Sequence, residues 1–305
     1  MEYNLVVILG PTASGKTGLA VRLARALGSE VISADSRQVY RGMDIGTGKD
    51  LNEYRRDGAA VPYHLIDIVD PREEFNVFEF QRRFYDCFSR LRVRGLVPVL
   101  VGGTGLYIES VLKEYEMLEV PEDSALRAEL TDKDDDALVR RLVAAGLRLH
   151  NTTDLSDRKR LIRAIEIAEF TKKSRGLDEG LVRPEIVPLV VGIRIERAEL
   201  RRRITHRLEE RIAAGLIGEV AKLHATGISW ERMDAFGLEY RYVGLHLRGM
   251  LDEEQMFADL NTRIHQFAKR QETWFRRMER QGISIRWIDG GDYDALKRLA
   301  AELMP

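Results

Sequence analysis

The segment Gly10-Pro11-Thr12-Ala13-Ser14-Gly15-Lys16-Thr17 lies between an unbroken apolar run, Leu5-Val6-Val7-Ile8-Leu9, and a helix-patterned stretch reaching about Leu27. Strand, glycine loop and helix in that order leave few folds open, because a buried strand must turn at its carboxyl end directly into a helix. The G-x-x-x-x-G-K-T spacing is that of a phosphate-binding loop, whose glycines let backbone N–H groups curl around anionic oxygens at a helix N-terminus. Gly10, Thr12, Ala13, Ser14, Gly15, Lys16 and Thr17 are therefore the expected phosphate-binding residues. Lys16 supplies a point charge, and the Thr17 hydroxyl is the expected ligand of a Mg²⁺ bridging phosphate oxygens. Such a loop reads oligophosphate oxygens and not a base, so a nucleoside triphosphate and a small-molecule diphosphate both remain open.

Glu30-Val31-Ile32-Ser33-Ala34 reads as a second strand and delivers Asp35 at its carboxyl end, the place where ligands gather in open α/β sheets. The stretch Asp35–Lys49 is polar and glycine-punctuated, and its Ser36, Arg37, Gln38 and Tyr40 suit the reading of a polar ligand. Val97–Val101 is a third buried strand, ending in Gly102-Gly103-Thr104-Gly105; those glycines fit a tight turn or a close approach of backbone to substrate. His64 reads as a structural histidine. From about Leu112 the chain becomes short, charged and helix-patterned, with Gly146 and Gly176 as helix ends, and no strand signal returns until Pro188–Ile193. The expected fold class is α/β, a P-loop NTPase-like parallel sheet core (1–111 and 184–305) with a helical insertion domain (112–183). Ile283–Ile288 reads as a closing strand. In the last long helix Ile264, Phe267, Gln271, Trp274 and Met278 define one face, its aromatics core, and Lys269, Arg276 and Arg280 another, a candidate RNA-backbone surface.

Composition narrows the setting. At 305 residues, 44% hydrophobic and 32% charged, the chain can bury a full core. No apolar run approaches a membrane span, and the chain enters its first strand almost at once, so a cytoplasmic protein without membrane attachment is expected. The lone cysteine, Cys87, excludes an internal disulfide and a Cys-rich zinc module and reads as a small buried hydrophobe. The net charge of −1 hides segregation: Glu114–Asp136 holds ten acidic residues against Arg127 and Lys133, whereas Arg158–Arg175 and Arg263–Arg286 each hold seven basic residues against two acidic ones. Basic clusters are the footprint of a polyanion, although each one taken alone also fits a solvated helix face. In the helix from about Ala198, arginines 201, 202 and 203 are expected to be solvated or paired with Glu209 and Glu210.

The loop at Gly10–Thr17, followed by Asp35-Ser36-x-Gln38-Val39-Tyr40 and Gly42-Met43-Asp44-Ile45-Gly46-Thr47, resembles the tRNA dimethylallyltransferase (tRNA isopentenyltransferase) family. Pro62–Pro71, Gly102–Tyr107, Asp157–Glu166 and Ala268–Arg276 continue the resemblance in family order, and the joint spacing is highly specific. One departure stands out: where the family has adjacent Gly and Tyr, Leu238 and Glu239 separate Gly237 from Tyr240. The lone cysteine is at odds with the zinc-binding extension of eukaryotic relatives, so the chain looks like a bacterial, tRNA-only member.

The resemblance implies transfer of a dimethylallyl group from dimethylallyl diphosphate to N6 of the adenosine 3′ of the anticodon. Asp35 would be the general base. Lys16, Thr17 with Mg²⁺, and Arg207, which matches the family's diphosphate arginine, would stabilise the leaving group. The diphosphate of the prenyl donor, rather than ATP, is the expected occupant of the loop. Asp35, Ser36, Arg37, Gln38 and Thr104 would hold the target base, and Arg127, Lys159, Arg160 and Arg163 the anticodon stem-loop. A monomer is expected. Two alternatives stay open: a P-loop small-molecule phosphotransferase, with the insertion as a lid, and an isopentenyltransferase acting on free adenine nucleotides.

Overall fold

All five residues of β1 (Leu5–Leu9) are fully buried, as an unalternating run of Leu, Val and Ile requires when both faces of a strand are covered. In the computed structural model, which describes residues 3–55, 58, 60–115, 117–145, 158–173 and 183–303, β1 lies inside a six-stranded, wholly parallel sheet. The other strands are β2 (Val31–Ala34), β3 (Tyr63–His64), β4 (Val99–Gly102), β5 (Pro188–Arg194) and β6 (Arg286–Asp289), in the order β3-β2-β4-β1-β5-β6. Val7 of β1 lies opposite Leu100 of β4 and Val190 of β5. That register brings the ends of β1, β2 and β4 to one edge, so three loops open side by side.

Helices α1 (Lys16–Ala26), α2 (Val77–Val93) and α3 (Gly105–Leu112) connect the first strands. Asn76 caps α2 by accepting from the Glu79 N–H at 3.0 Å, and Cys87 is buried on the same helix, its thiol pushed up to about 11 by burial. After α4 (Ser124–Thr131), α5 (Asp135–Ala144) and α6 (Arg158–Lys173), the chain continues beyond β5 through α7 (Arg197–Ala213), α8 (Leu216–Ala225), α9 (Trp230–Phe236), α10 (Leu238–Leu247), α11 (Glu253–Arg280) and α12 (Tyr293–Leu299). One apolar core joins the sheet to α1 and α12; a second unites α7 to α11 with Val39, Tyr40 and Met43. His64 hydrogen-bonds Glu30 at 2.6 Å and lies in the sheet's β3.

The chain divides into two compact units, 1–115 with 183–305, and 116–182. The first break falls after residue 112 because α3 runs through Leu112 and closes with the Tyr115 N–H on the Ser110 carbonyl. In the smaller unit Leu130, Leu138, Leu142, Leu161 and Ile165 form a separate core between α4, α5 and α6. Gly146, Gly176 and Asp157 lie outside the described residues.

Three local expectations are corrected. The closing strand begins only at Arg286, because α11 ends in a turn with Gly282 at φ 96° and the Ile283 N–H returned to the Met278 carbonyl. Phe267 is exposed, not core, and Gln271 beside it is buried. Arg201 and Arg202 are exposed as expected, but the ion pairs of Arg202 and Arg203 are with Glu199, one turn back, rather than with Glu209 or Glu210. No described helix is long and apolar enough to cross a membrane.

Candidate active site

Between β1 and α1 the loop Gly10–Thr17 turns on two left-handed residues, Ala13 at φ 61° and Gly15 at φ 77°. A left-handed alanine is costly, and such backbone strain persists where function requires it. Lys16 and Thr17 form the first turn of α1, so their amides point to the positive end of the helix. Lys16 Nζ reaches the Pro11 carbonyl at 3.3 Å. Burial and the neighbouring Arg207 lower its ammonium to about 8, against the opposing pull of Asp35 and Asp50.

The loop forms one wall of a cavity of about 1060 Å³. Arg203, Arg207 and Arg211 of α7 line the facing wall. Arg207 pairs with Asp50 at 2.8 Å, and Arg211 with Glu239 at 3.1 Å. Both guanidiniums crowd Gly48, whose φ is 62° and where an added Cβ would lie 1.7 Å from Arg211 and 2.5 Å from Arg207. Glu219 of α8 holds this stretch: its carboxylate accepts from the N–H groups of Asp44, Ile45 and Gly46 at 2.7–3.0 Å and from the Tyr240 hydroxyl at 2.7 Å. Burial and Glu219 raise the phenol's pKa, so Tyr240 stays a donor. Lys49 is buried and binds Asp44, Asp67 and the Tyr40 carbonyl. The stretch around Gly237–Tyr240, where the sequence departs from the family spacing, thus acts on the cavity through Glu219, which Tyr240 holds, and through Arg211, which Glu239 pairs.

Asp35 stands at the end of β2. Its Oδ1 accepts from the N–H groups of Arg37 and Gln38 at 2.8 and 3.3 Å, while Oδ2 has no hydrogen bond among the described residues. Thr104 Oγ1 accepts from the Ser36 N–H at 3.2 Å. Gln38 is engaged at both ends, accepting from the Ser33 hydroxyl and donating to the Gly48 carbonyl at 3.1 Å. The Arg37 guanidinium, half-buried beside Gly237, makes no ion pair among the described residues.

The glycines after β4 serve the protein's own packing. A Cβ at Gly102 would sit 2.2 Å from the Ala34 carbonyl oxygen, one at Gly103 2.4 Å from Gln271 Nε2, and one at Gly105 2.3 Å from the Trp274 ring. Of the two uses that the sequence allowed, the close approach is real, but its partners are β2 and α11. Gln271 donates to the Gly103 carbonyl and accepts from the Thr12 N–H, each at 2.8 Å. The Thr12 amide, expected among the phosphate donors, is thereby engaged by α11.

Within the unit 116–182, Arg127 and Arg163 converge on Glu166, which is 2% exposed. Arg127 is also 2.6 Å from Glu122, and Arg163 donates to the Val120 carbonyl at 2.7 Å. These two arginines, expected on RNA phosphates, are bound to a buried carboxylate. Lys159 and Arg160 are exposed on α6.

Sequence reasoning missed Arg211, Asp50, Glu219 and Gln271. Arg211 was within reach, one helical turn after Arg207. Gln271 was signalled by an amide on an otherwise apolar face, which is a buried polar group in need of partners.

Thr17 and Ser14 line the cavity with their hydroxyls, and Asp50 and Glu53 line it too. Among the described residues no three His, Cys, Asp or Glu side chains gather into a metal cage. This donor set fits Mg²⁺, which takes few protein ligands and completes its shell with water and substrate phosphate oxygens.

An IPP transferase family model matches residues 38–278, and an isopentenyl transferase model matches residues 3–57. The chain is 61% identical over 297 residues to tRNA dimethylallyltransferase 1 of Syntrophus aciditrophicus, covering 97% of each. It is 58% identical to tRNA dimethylallyltransferase 1 of Geotalea uraniireducens, covering 97% of this chain and 96% of that relative. Among solved structures it is similar to the full-length tRNA isopentenylpyrophosphate transferase of Bacillus halodurans, with 34% identity and a TM-score of 0.69 over 99% of this chain and 94% of that one. A eukaryotic dimethylallyltransferase acting on tRNA, 22% identical with a TM-score of 0.74 over 98% of this chain and 76% of that one, shares the fold.

Proposed function

The chain belongs to the IPP transferase family, and from that membership we infer that it transfers a dimethylallyl group from dimethylallyl diphosphate to N6 of the adenosine 3′-adjacent to the anticodon of tRNA. One arrangement carries the assignment of residues: a strained phosphate loop and the arginines of α7 face each other across a single cavity, and the Asp35 carboxylate is close enough to Lys16 to oppose the lowering of its pKa.

In the reaction the bond between the prenyl carbon and the diphosphate oxygen breaks while the bond to N6 forms. Charge develops on the diphosphate, where the amides of the first turn of α1, Lys16 and Arg207 stabilise it more strongly than they would in water. Thr17 would hold a Mg²⁺, which when bound would supply further positive charge to the leaving group. The adenine amine must lose a proton, which passes to Asp35 Oδ2, a base fixed in place by the two amides on Oδ1. The adenosine must leave its stack to reach this point, and Arg37 and Thr104, which neighbour Asp35 through its own loop and through Ser36, would receive it. Prenyl donor, rather than ATP, occupies the phosphate loop in this reading.

The test is incubation with labelled dimethylallyl diphosphate, Mg²⁺ and either an anticodon stem-loop or AMP, with ATP hydrolysis followed in parallel. Label is expected in the stem-loop alone, and Asp35→Ala should lower turnover by about 10²–10⁴-fold with little change in stem-loop affinity. Label in AMP would reassign the substrate, and ATP turnover without transfer would overturn the reading.

A further inference from the structure

Gln271 sits on the buried face of α11, in line with Ile264, Ala268, Phe275 and Met278, and is itself 7% exposed. A primary amide in such surroundings is costly unless both its ends are bonded. Here both are, and to two different loops: Oε1 accepts from the Thr12 N–H of the phosphate loop, and Nε2 donates to the Gly103 carbonyl after β4, each at 2.8 Å. The space is closed around this link, since a Cβ at Gly103 would lie 2.4 Å from Nε2 and 3.4 Å from the Gly10 carbonyl oxygen. The next residue, Thr104, accepts from the N–H of Ser36, the neighbour of Asp35. A short path of hydrogen bonds and single peptide units therefore runs from Thr12 through Gln271, Gly103, Thr104 and Ser36 to Asp35.

We propose that Gln271 is a positioning residue for prenyl transfer, fixing the loop that holds the diphosphate at a set distance from the loops that hold Asp35. The inference rests on the transfer reaction proposed above. The chemistry selects the side chain: the site must accept from an N–H and donate to a carbonyl at once, which a neutral amide does and a carboxylate or thioether does not. A misplacement of about 1 Å in such an arrangement costs on the order of a hundredfold in rate. Donor binding depends on charges that Gln271 does not touch, so the loss should fall on turnover. With the prenyl carbon and N6 no longer aligned, water can attack the prenyl carbon instead. The carbon–oxygen bond to diphosphate then breaks, dimethylallyl alcohol forms, and the water proton goes to solvent.

The full chain and its Gln271→Met variant, nearly isosteric but unable to make either bond, are compared with an anticodon stem-loop. kcat, KM for dimethylallyl diphosphate, and the ratio of diphosphate released to prenyl transferred are measured, with thermal melts alongside. The expected result is a kcat lower by roughly 10–100-fold, KM within about threefold, and a raised release-to-transfer ratio. Should Gln271→Met not fold, Gln271→Asn carries the same measurements, since it keeps the amide but is one methylene too short to bridge both loops. An unchanged kcat and ratio, or a loss confined to KM, would overturn the proposal while wild-type transfer continues. Absence of transfer by the wild-type chain would instead overturn the reaction on which it rests.

Discussion

Arginine serves opposite ends in the two units. At the cavity, Arg207 pairs with Asp50, a carboxylate left 49% exposed, and stands over an open wall facing the phosphate loop. In the unit 116–182, Arg127 and Arg163 both bind Glu166, which is 2% exposed and also accepts from the Asp123 N–H at 2.6 Å. An exposed partner can be exchanged for an anionic ligand at little cost, because water takes up the carboxylate that is released. A buried partner cannot, since removing its cations leaves an uncompensated charge in a low-dielectric interior. What a basic residue can do is thus set by the burial of the carboxylate beside it, which a count of charges along the chain does not contain.

The sharpest break of this comparison is Arg207→Ala. If the α7 cations serve the leaving group, kcat/KM for the prenyl donor should fall by about 10²–10³-fold, the usual cost of losing one donor to developing oxyanion charge. The melting temperature should move little, because the partner Asp50 is left in water. A melt shifted as far as that of an unfolding core mutant, with normal turnover in the folded fraction, would make Arg207 structural after all. Arg211→Ala should cost less in rate and more in stability, since Arg211 is itself tied to Glu239.

Arg163→Ala should show the converse. Burial by itself would raise the pKa of Glu166, but Arg127 and Arg163 outweigh it and hold the carboxyl below its ordinary value. A depressed carboxylate contributes stability that is present above its unfolded pKa and is lost as pH falls through the folded one. Removing Arg163 should therefore destabilise the chain by about 1.5–3 kcal/mol near neutral pH, the range for hydrogen bonds to charged groups, and the deficit should shrink in acid. Denaturant melts at neutral and acid pH measure both. A normal melt with weakened tRNA binding would restore Arg163 to the RNA surface.

How far the chain explained itself follows the same line. β1, its glycine loop and α1 were legible because a continuous buried run, two glycines and a lysine leave one reading, and Asp35 was legible because it ends the next strand. The glycines after β4 were legible as a close approach but not as to what approaches, because Gln271 and Trp274 arrive from more than 160 residues away on α11. Arg207 was picked from among Arg201, Arg202, Arg203 and Arg207 by resemblance alone. Resemblance likewise sent Arg127 and Arg163 to RNA, and Glu166, the residue that engages them in the structure, is an ordinary glutamate in a basic helix until its burial is known.

Lys16 sharpens the cavity side of the comparison through pH. Its ammonium, lowered to about 8 by burial and Arg207, is charged below that pH and neutral above it. Affinity for the prenyl donor should be flat to about pH 8 and then fall by up to tenfold per unit as the cation is lost. Bound diphosphate favours the charged form, so donor binding above pH 8 should take up a proton from buffer, which calorimetry in buffers of different ionisation heat detects. Lys16→Met should abolish both the uptake and the pH dependence. Donor affinity that ignores pH in the wild-type chain would remove Lys16 from the diphosphate.

The smallest effect tests the other unit's exposed cations, Lys159 and Arg160 on α6. Exposed ion pairs are worth less than about 1 kcal/mol, so either residue can trade a protein partner for a phosphate without unsettling the fold. If they lie on the stem-loop, Lys159→Ala and Arg160→Ala should each weaken binding less than about fivefold, which a single affinity barely resolves. The salt dependence resolves it better, because a cation that no longer neutralises a phosphate no longer releases its counterions, and the slope of log affinity against log salt falls by roughly 1. Arg163→Ala, measured below its melt, should leave that slope unchanged, since its guanidinium is already paired with Glu166 and hydrogen-bonded to the Val120 carbonyl. Equal slopes for all three variants would mean that burial of the partner does not sort these cations, and the contrast between the two units would fail at its own premise.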